Sequence, residues 1–505
     1  MHRVSLFIEL LRTRPVAVFW AAALAQAALW TLVPALFYTA PPGELAELLA
    51  VAHETGHGNP FGPPLAYWLA EAAFRIGGLF GVYLLAQLCV LITLWAVFSL
   101  GRIVVGDRHA AMAVLLMAGI ATFSVPTAEF SPAILATALW ALILLHTWRA
   151  IGQGRRLYWL AVGFEAGLLL LTSNSGFLLI GLLLAFTLLT RRGREQFTWP
   201  EPYVGGVILM LVFFRHLIWI EQTGALNVLS LAPFTEIAGN AQTWLRTLGF
   251  LAMGHAGLAV LVLFGRGFAL SPRGPAAEVE RAPVDPDARR FVYFFALAPA
   301  VAIGLAAFFT SRAESFVAPS LVVLSALAVI VAAPDRIRIV HQRLTQSVWA
   351  MLLVLPPLIV ALAVTILPWT LAVDLRVAQP AAEMGRFFAE SFERRTGRPL
   401  AIVTGDTHLA ALVALYAPSR PSVYFFATPE ISPWVSREDI DRKGAVVIWP
   451  STSTRGLPPA AIQERFPALT PEVPRAFERR FQGRLSLARI GWAVIRPTAA
   501  APPAR

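Results

Sequence analysis

The chain of 505 residues carries little charge and almost no cysteine. Charged residues make up 14% of it and hydrophobic residues 57%, and the mean hydropathy is +0.65. Cys89 is the single cysteine and lies inside an apolar run, so no disulfide can form within the chain. So few charges cannot cover a soluble protein of this length. The composition therefore excludes a soluble globular chain and indicates a membrane protein.

Lysine is also nearly absent, because Lys443 is the only one and arginine supplies the rest of the formal charge of +11. The arginines stand in short segments between apolar runs, where they act as topology signals and as contacts for anionic lipids. In a soluble chain this charge would suggest nucleic acid. Here we expect membrane lipids as partners and no nucleic acid.

The apolar runs predict a polytopic α-helical membrane protein. A run of roughly 17 to 25 residues is long enough to cross a hydrocarbon core of about 30 Å. The first run, Val16 to Tyr38, is longer than the apolar region of a signal peptide and is expected to stay as an uncleaved span. About eleven spans are predicted, near residues 15–38, 79–104, 109–125, 132–148, 157–172, 175–191, 203–220, 246–265, 291–310, 315–333 and 347–371.

The distribution of arginine predicts the orientation of these spans. With the N-terminus in the cytoplasm, the outer loops hold only Arg75, Arg246 and Arg312. The positive-inside rule favours this orientation, and an odd number of spans then places everything after Leu371 on the periplasmic side. The inner loops hold Arg102, Arg108, Arg149, Arg155, Arg156, Arg191, Arg192, Arg194, Arg266, Arg273, Arg281, Arg289, Arg290, Arg336, Arg338 and Arg343.

From about Val373 the long apolar runs give way to short alternating segments, which are typical of a small α/β domain. The pattern predicts helices at 381–394, 407–416 and 436–442 and strands at 400–404, 422–425 and 445–449. The predicted domains are a membrane domain at 1–372 with a first periplasmic loop at 39–78, a periplasmic α/β domain at 373–498, and a disordered tail at 499–505.

Residues 41–69 hold the only dense group of ionisable residues in the first hundred positions: Glu44, Glu47, His53, Glu54 and His57. Ionised side chains beside hydrocarbon are costly, so the group favours a catalytic loop, although a solvated loop gives the same pattern. His53 and His57 have metal-ligand spacing but lack a third placed ligand. No metal-binding residue is assigned, and a divalent cation is left open as a cofactor.

Several other segments favour structural roles. Residues 63–78, begun by Pro and ended by Gly-Gly, predict a short amphipathic helix on the outer surface. Thr172 to Ser175 predict a tight outer turn between two spans. Glu165 and His255 lie inside predicted spans, where a hydrogen bond between helices is the commoner role. Gly405-Asp406 and Pro433-Trp434 are typical of turns, so a structural role is expected for them.

Eight stretches carry a family resemblance: GELAELL, GPPLAYWL, AEFSPAIL, GLLLLTSNSG, RHLIW, and the C-terminal segments RTGRPLAIVTGD, RPSVYF and SPWVSREDIDRKGAVVIW. Together they resemble the bacterial members of the dolichyl-phosphate-mannose protein mannosyltransferase-like family, relatives of the lipid A aminoarabinose transferase. The resemblance implies the GT-C glycosyltransferase fold. It also implies inverting transfer of a sugar from a polyprenyl phosphate to an acceptor hydroxyl at the periplasmic face of the bacterial inner membrane. A lipid, lipopolysaccharide or other envelope glycan is the expected acceptor.

The resemblance also implies roles for particular residues. Glu44 is expected to be the catalytic base, Glu47 to orient the acceptor or a neighbouring cation, and Glu129 to complete the catalytic set. Each of these acids has a solvated loop or helix face as its plainer interpretation. The donor phosphate is expected to meet Arg75, Arg215 and His216, since arginine contacts phosphate oxygens in pairs. The substrate is expected to meet Tyr67, Trp68 and Trp219, although Arg75 and Trp219 also suit an interfacial anchor.

The motifs depart from the family pattern at several positions. The first acid is Glu44 where the family more often has Asp, and Gly62 stands before Pro63-Pro64 where a basic residue or His is usual. Ser131 and Ala133 replace residues that are often Asn or Asp, and Ser173 replaces the usual Lys. These departures keep open a non-catalytic relative that binds lipid-linked glycans. A transporter or flippase for lipid-linked sugars is the other alternative, and it would need charged residues near mid-bilayer and paired broken helices.

Overall fold

The computed structural model describes residues 6–54, 61–124, 129–223, 237–265, 277–309, 319–339, 341–425, 432–451 and 456–498. The predicted disordered tail lies outside these residues. The helices are α1 (Leu6–Thr13), α2 (Pro15–Phe37), α3 (Leu45–Glu54), α4 (Leu65–Val105), α5 (Asp107–Met117), α6 (Ala121–Ser124), α7 (Pro132–Ile151), α8 (Tyr158–Leu170), α9 (Ser175–Leu189), α10 (Arg191–Gln196), α11 (Glu201–Thr223), α12 (Ile237–Gly254), α13 (Ala256–Gly265), α14 (Pro286–Phe309), α15 (Ser325–Ala332), α16 (Gln342–Thr370), α17 (Ala381–Thr396), α18 (Thr407–Tyr416), α19 (Arg437–Lys443) and α20 (Ala460–Arg465). The strands are β1 (Ala277–Glu280), β2 (Arg336–Ile339), β3 (Ile402–Gly405), β4 (Ser422–Tyr424), β5 (Ala445–Pro450), β6 (Arg475–Phe477) and β7 (Ala488–Ile495).

The chain forms two compact units. The helical unit comprises Met1–Leu32 and Tyr83–Leu358, and the mixed unit comprises Val33–Val82 and Ile359–Arg505. The first loop and the C-terminal sheet therefore belong to one unit, although several hundred residues separate them in the sequence. The domain boundaries proposed at residues 372 and 498 stay predictions.

Six helices among the described residues are long and apolar enough to cross a membrane, and a seventh span results if α12 and α13, bent by 41° at their junction, count as one. The six are Pro15–Phe37, Leu65–Val105, Pro132–Ile151, Glu201–Gln222, Pro286–Ala307 and Gln342–Thr370. Shorter apolar helices cover Tyr158–Leu170, Ser175–Leu189 and Ser320–Ala332. The chain is thus a multi-pass membrane protein, as predicted, and the count of about eleven spans stays a prediction.

Two sequence breaks fall where they were predicted. Helix α4 loses helical backbone angles at Gly77 and Gly78, and Gly78 has φ of 58°, which glycine adopts readily because it has no Cβ. The break separates the predicted amphipathic segment from the long apolar run that follows it. Thr172 and Ser173 lie in the turn that ends α8 before α9 begins at Ser175, so the predicted turn between two helices is confirmed.

In the helical unit, α8 packs closely on α11. A Cβ added at Gly163 of α8 would lie 2.0 Å from the carbonyl oxygen of Gly205 on α11, so only glycine fits at this contact. Small residues at such crossings let helix backbones approach in a membrane, where apolar side chains gain little by leaving lipid. The glycines therefore fix the distance between two helices, one of which carries the RHLIW motif.

The mixed unit contains a five-stranded sheet in the order β4-β3-β5-β7-β6. Strand β3 pairs in parallel with β4 and β5, whereas β7 pairs antiparallel with β5 and β6. Residues 445–449 of the central strand β5 are all buried, as expected of a strand covered on both faces. Helix α18 packs against β3, α17 and α3, so the first-loop helix α3 rests on the α/β fold.

The structure confirms the predicted α/β domain and its alternating helices and strands from α17 to β5. The predicted helix at 436–442 is α19, whose start is fixed by a capping box between Ser436 and Asp439. The sequence interpretation missed β6 and β7. Both strands lie beyond the alternating short segments that identified the other strands, and β7 enters the sheet between β5 and β6.

Candidate active site

Glu44 stands at the start of α3, where its carbonyl oxygen accepts the first helical hydrogen bond, from Leu48 N at 2.9 Å. Its side chain is exposed. The Glu44 carboxylate is near enough to Tyr67 for its charge to act on the phenol. Tyr67 itself is buried at 7% exposure, whereas its neighbour Trp68 is 39% exposed. The structure therefore brings together Glu44 and Tyr67, two of the residues predicted for the site.

The backbone before α3 is held by the C-terminal part of the mixed unit. The amides of Thr39 and Ala40 donate to the carbonyl oxygen of Val377 at 2.9 and 3.1 Å. The hydroxyl of Tyr416 on α18 donates to the carbonyl oxygen of Thr39 at 3.3 Å. These bonds fix the path of the loop just ahead of Glu44.

Glu47, one helical turn after Glu44, is half-buried and bound to a histidine of the sheet domain. Its Oε1 lies 2.8 Å from Nδ1 of His408 on α18. Because an ionised carboxylate only accepts hydrogen bonds, Nδ1 carries the proton. Among the described residues, neither the buried Oε2 of Glu47 nor the buried Nε2 of His408 has a hydrogen-bond partner. The pair thus fixes one side of each group and leaves the other available to a ligand or water.

Glu71, on the segment of α4 before the glycine break, is the centre of a second group of charges. Its Oε1 accepts from Nε of Arg75 at 2.9 Å and lies 3.4 Å from Nδ1 of His53. Its Oε2 accepts from Nη2 of Arg420 at 3.1 Å. The Glu71 side chain is only 10% exposed. A carboxylate buried to this degree needs these partners, because an unpaired buried charge is costly.

Arg420 follows α18 and is held in an unusual conformation. Its φ of 47° is rare for a residue other than glycine, and its guanidinium lies over the Phe74 ring at 4.6 Å from the centroid. Burial lowers the pKa of the guanidinium, and the charges of Glu71 and Glu54 oppose that shift. Nη1 of Arg420 and Oε1 of Glu54 are buried, and neither has a hydrogen-bond partner among the residues described.

Glu71, His408 and Arg420 are candidate residues that the sequence analysis did not select. Glu71 lies between the Pro-Pro and the Gly-Gly that bound the predicted outer helix. Its position as an acid beside an otherwise apolar stretch was the sequence feature that could have identified it. His408 follows Gly405-Asp406, which was interpreted as a turn. That interpretation is confirmed, since Asp406 caps α18 by accepting from Leu409 N, but it hid the histidine two residues later.

Arg75 lies in the mixed unit, and the remaining predicted residues lie in the helical unit. Arg75 is exposed on 69% of its side chain while bound to Glu71, so an anchoring role and an anion-binding role both suit it. Glu129, Arg215, His216 and Trp219 lie in the helical unit. Glu129 is half-buried before α7, and Arg215 is exposed on α11.

His216 and Trp219 share one face of α11, as their spacing predicted. His216 is buried at 4% exposure, and its ring stacks on that of Trp219 with the centroids 5.4 Å apart and the planes 10° apart. The next ring along this face is Phe213, at 5.6 Å from the imidazole. The motif RHLIW therefore supplies a stacked histidine-tryptophan pair.

The predictions of structural roles for other polar residues are confirmed. Oε1 of Glu165 lies 2.7 Å from Nδ1 of His146 on the neighbouring helix α7. Nε2 of His255 lies 3.0 Å from the hydroxyl of Ser325 on α15. In the sheet domain, the indole of Trp434 donates to the carbonyl oxygen of Val423 at 2.9 Å, which fixes its turn.

Metal binding stays an open prediction. Within the ranges that the structure describes, no group of three or more His, Cys, Asp or Glu side chains has the arrangement of a metal site. His57, one of the two histidines with ligand spacing, lies outside the described residues, and His53 is the neighbour of Glu71.

Comparisons with known proteins define the class of protein to which this fold corresponds. Residues 62–219 match the family described as dolichyl-phosphate-mannose-protein mannosyltransferase. The apo structure of ArnT from Cupriavidus metallidurans matches 96% of this chain and 99% of its own, with 15% identity and a TM-score of 0.58. The oligosaccharyltransferase AglB from Archaeoglobus fulgidus, solved with an inhibitory peptide and a dolichol-phosphate, matches 88% of this chain and 70% of its own, with 14% identity and a TM-score of 0.47. No curated protein sequence gives a significant match.

The chain is a multi-pass membrane protein with the GT-C fold, and this fold extends over almost its whole length. Within that class, the resemblance to the bacterial mannosyltransferase-like and aminoarabinose-transferase-like proteins that the motifs indicated is confirmed. The matched residues begin at Gly62 and end at Trp219, and so include the GPPLAYWL and RHLIW motifs.

Proposed function

We propose that this chain is an inverting glycosyltransferase that moves a sugar from a polyprenyl-phosphate donor to a lipid, lipopolysaccharide or other envelope acceptor. The fold and the family match support sugar transfer in general. The observation that carries the proposal is the exposed Glu44 carboxylate at the start of α3, one turn from the anchored Glu47. The chain would act at the periplasmic face of the bacterial inner membrane, with its N-terminus in the cytoplasm and its sheet domain in the periplasm.

In the proposed reaction, Glu44 accepts the proton of the acceptor hydroxyl as the hydroxyl oxygen attacks the anomeric carbon. The bond between that carbon and the phosphate oxygen breaks, and polyprenyl phosphate leaves with the bonding electrons. Attack on the face opposite the leaving group inverts the anomeric carbon. Charge develops on the leaving phosphate, so nearby cations lower the barrier.

The mixed unit supports this role for its first loop. An exposed carboxylate can reach an acceptor, and the loop is held in one path by hydrogen bonds that it donates to Val377 and accepts from Tyr416. The bond between Glu47 and His408 restrains the following turn of α3. A carboxylate on a restrained helix end meets its substrate in a defined position, which is the main requirement for a general base.

The remaining site residues are proposed from their chemistry. Arg75, Arg215 and His216 would bind the donor phosphate, and Glu129 would complete the acidic set. Tyr67, Trp68 and Trp219 would contact sugar or lipid through their rings. Arg420 joins the phosphate candidates, because Nη1 has no partner among the described residues while Nη2 is held by Glu71.

The test is transfer of radiolabelled sugar from total polyprenyl-phosphate sugars to envelope fractions, with membranes that carry the wild type or Glu44→Gln. Glutamine keeps the size of the side chain but cannot accept the proton, so transfer should fall by at least about 10²-fold at equal protein level. The fraction that gains label identifies the acceptor class.

The matched control is Glu383→Gln. Glu383 is also an exposed acid in the first turn of a helix of the mixed unit, α17, and its loss should leave transfer unchanged. Equal turnover by Glu44→Gln and the wild type would contradict the role of Glu44. Folded wild type that binds polyprenyl phosphate but transfers nothing would favour the non-catalytic alternative.

A further inference from the structure

A polar cavity lies within the helical unit, and none of the site residues assigned above line it. It has a volume of about 770 Å³, which is within the usual range for ligand sites. The ends of α1, α4, α5 and α7 line it together with the segment 280–285. The arginine pattern of the sequence predicts these ends to be cytoplasmic. Its charged lining residues are Arg12, Arg102, Asp107, Arg108, His109, Glu280, Arg281 and Asp285.

The acids of this lining are already bound by arginines. Asp107 accepts from Nε of Arg102 at 2.8 Å. Asp285 and Glu280 accept from arginines outside the cavity lining, Arg192 at 3.0 Å and Arg336 at 2.6 Å. An arginine thus pairs with each of the three carboxylates and offsets its charge towards an anion that enters the cavity.

One arginine of the lining has a structural role. Nε of Arg281 lies 3.1 Å from Asp335, and its terminal amino groups donate to the carbonyl oxygens of Ile330 and Ala333 at 2.8 and 2.6 Å. The Arg281 side chain is 2% exposed. It fixes the segment that borders the cavity and has little capacity left for a ligand.

Arg12 and Arg108 supply the charge that remains. Nε of Arg108 donates to the carbonyl oxygen of Arg12 at 2.9 Å, and none of the described carboxylates forms an ion pair with Arg108. The contact of Arg12 with Glu9 is long, at 3.9 Å. The bond joins the two segments that carry these arginines, and both residues line the cavity.

The first backbone amides of α5 are further hydrogen-bond donors at the cavity, and no described side chain caps them. The helix has 11 residues and begins at Asp107 after Gly106. The first amides of a helix carry partial positive charge and bind anions well. His109, in the same first turn, lines the cavity at 1% exposure, and its Nε2 has no hydrogen-bond partner among the described residues. This buried ring nitrogen, which no described residue bonds, can therefore contact a ligand that enters beside these donors.

We propose that this cavity binds a phosphate group, held by Arg12, Arg108, His109 and the first amides of α5. The phosphate belongs either to the head group of an anionic lipid or to free phosphate, which offer the same oxygens. A basic site between helix ends at the cytoplasmic surface suits an anionic head group. This site is independent of the proposed sugar transfer.

The test measures binding of phosphatidylglycerol to the purified full chain in a neutral detergent, by native mass spectrometry and by the shift in unfolding temperature. Arg108→Gln should weaken binding about tenfold or more, since it removes charge-assisted hydrogen bonds to the phosphate. Arg12→Gln should act in the same direction. Both side chains are at the surface, so both variants are expected to fold.

The matched control is Arg191→Gln, because Arg191 is 90% exposed on α10 and lies outside the cavity. Its affinity should stay within about twofold of the wild type, since exposed distant charges are screened by salt. Competition by inorganic phosphate identifies free phosphate as a ligand, whereas its absence identifies the lipid head group. Equal weakening by Arg191→Gln, or binding of phosphatidylcholine as tight as that of phosphatidylglycerol, would overturn the proposal.

Discussion

The two units pair their buried charges over very different distances along the chain. In the mixed unit, Glu47 is bound by His408, 361 residues later, and Glu71 by Arg420, 349 residues later. In the helical unit, Glu165 is bound by His146, only 19 residues away on the helix before it. All three carboxylates are at most one-fifth exposed.

This difference separates ion pairs that only satisfy buried polar groups from ion pairs that position the acids of the proposed active site. A pair between consecutive helices forms as soon as the two helices pack, and it satisfies two polar groups in an apolar setting. A pair between the first loop and the sheet domain forms only when both are folded. The acids of the first loop thus depend on the sheet domain for their position, and the proposed active site depends on both.

Among changes to these pairs, His408→Ala is expected to have the largest effect, which is on the rate of sugar transfer. The change removes the only described partner of Glu47 and frees the start of α3, so the rate of transfer at saturating donor should fall about 10²-fold through misplacement of the site. His408→Asn keeps a donor near the position of Nδ1 and should restore much of the rate. Turnover and KM for the donor are measured for all variants.

Tyr416→Phe is the control for that experiment. It removes another bond between α18 and the first loop, the one to Thr39, and leaves the carboxylates untouched. Its rate should stay close to that of the wild type. If Tyr416→Phe lowers the rate as much as His408→Ala, or if His408→Asn gives no rescue, then the histidine only packs α18 against the loop.

The next effect is on stability, through Glu71→Gln. Arg420 would lose its ion pair while remaining half-buried, and the free energy of unfolding should fall by about 2 kcal/mol, less than for a fully buried pair. The comparison is Glu195→Gln, since Glu195 pairs with Arg191 in an exposed local contact and should cost less than about 0.5 kcal/mol. Thermal unfolding in detergent measures the stability of both variants. Similar losses of unfolding free energy would show that the long-range pair contributes no more than an exposed local pair.

The smallest effect is expected from a local contact within the sheet domain, Ser436→Ala. Hydrogen bonds from Ser436 and Arg442 hold the pKa of Asp439 well below its usual range. Losing the cap should lower the free energy of unfolding by about 1 kcal/mol near neutral pH.

The sign of the pH dependence follows from the lowered pKa of Asp439. The carboxylate stabilises the folded state above the ordinary pKa of about 3.9, and this stabilisation is lost as the pH falls towards the folded value. The difference between Ser436→Ala and the wild type should therefore shrink in acid. A constant difference across an unfolding series from neutral pH to pH 3 would contradict this account.

The elements of the fold could be predicted wherever a local pattern fixes them. Gly77-Gly78 ended the amphipathic segment, and the alternation of short apolar segments gave α17 to β5. Strands β6 and β7 were missed because tertiary pairing places them: β7 pairs with the edge that β5 offers, and β6 then pairs with β7. For the site, the density of ionisable residues marked the stretch that holds Glu44 and Glu47, and the family resemblance selected Glu44 within it. Their partners could not be selected, since a histidine two residues after a turn gives no signal of its own.

The sequence by itself determined the membrane class, the C-terminal sheet domain and the stretch that carries the acids, because hydrophobicity, charge and turn residues act over short distances. Only the tertiary structure decided that Glu47 meets His408 and that Glu71 meets Arg420. It also decided that His109 is buried beside two arginines at a helix start. A glutamate in the sequence does not show whether its side chain is solvated or bound to a distant partner. Which of the two an acid becomes depends on the packing of segments hundreds of residues apart, and that packing is a property of the folded chain alone.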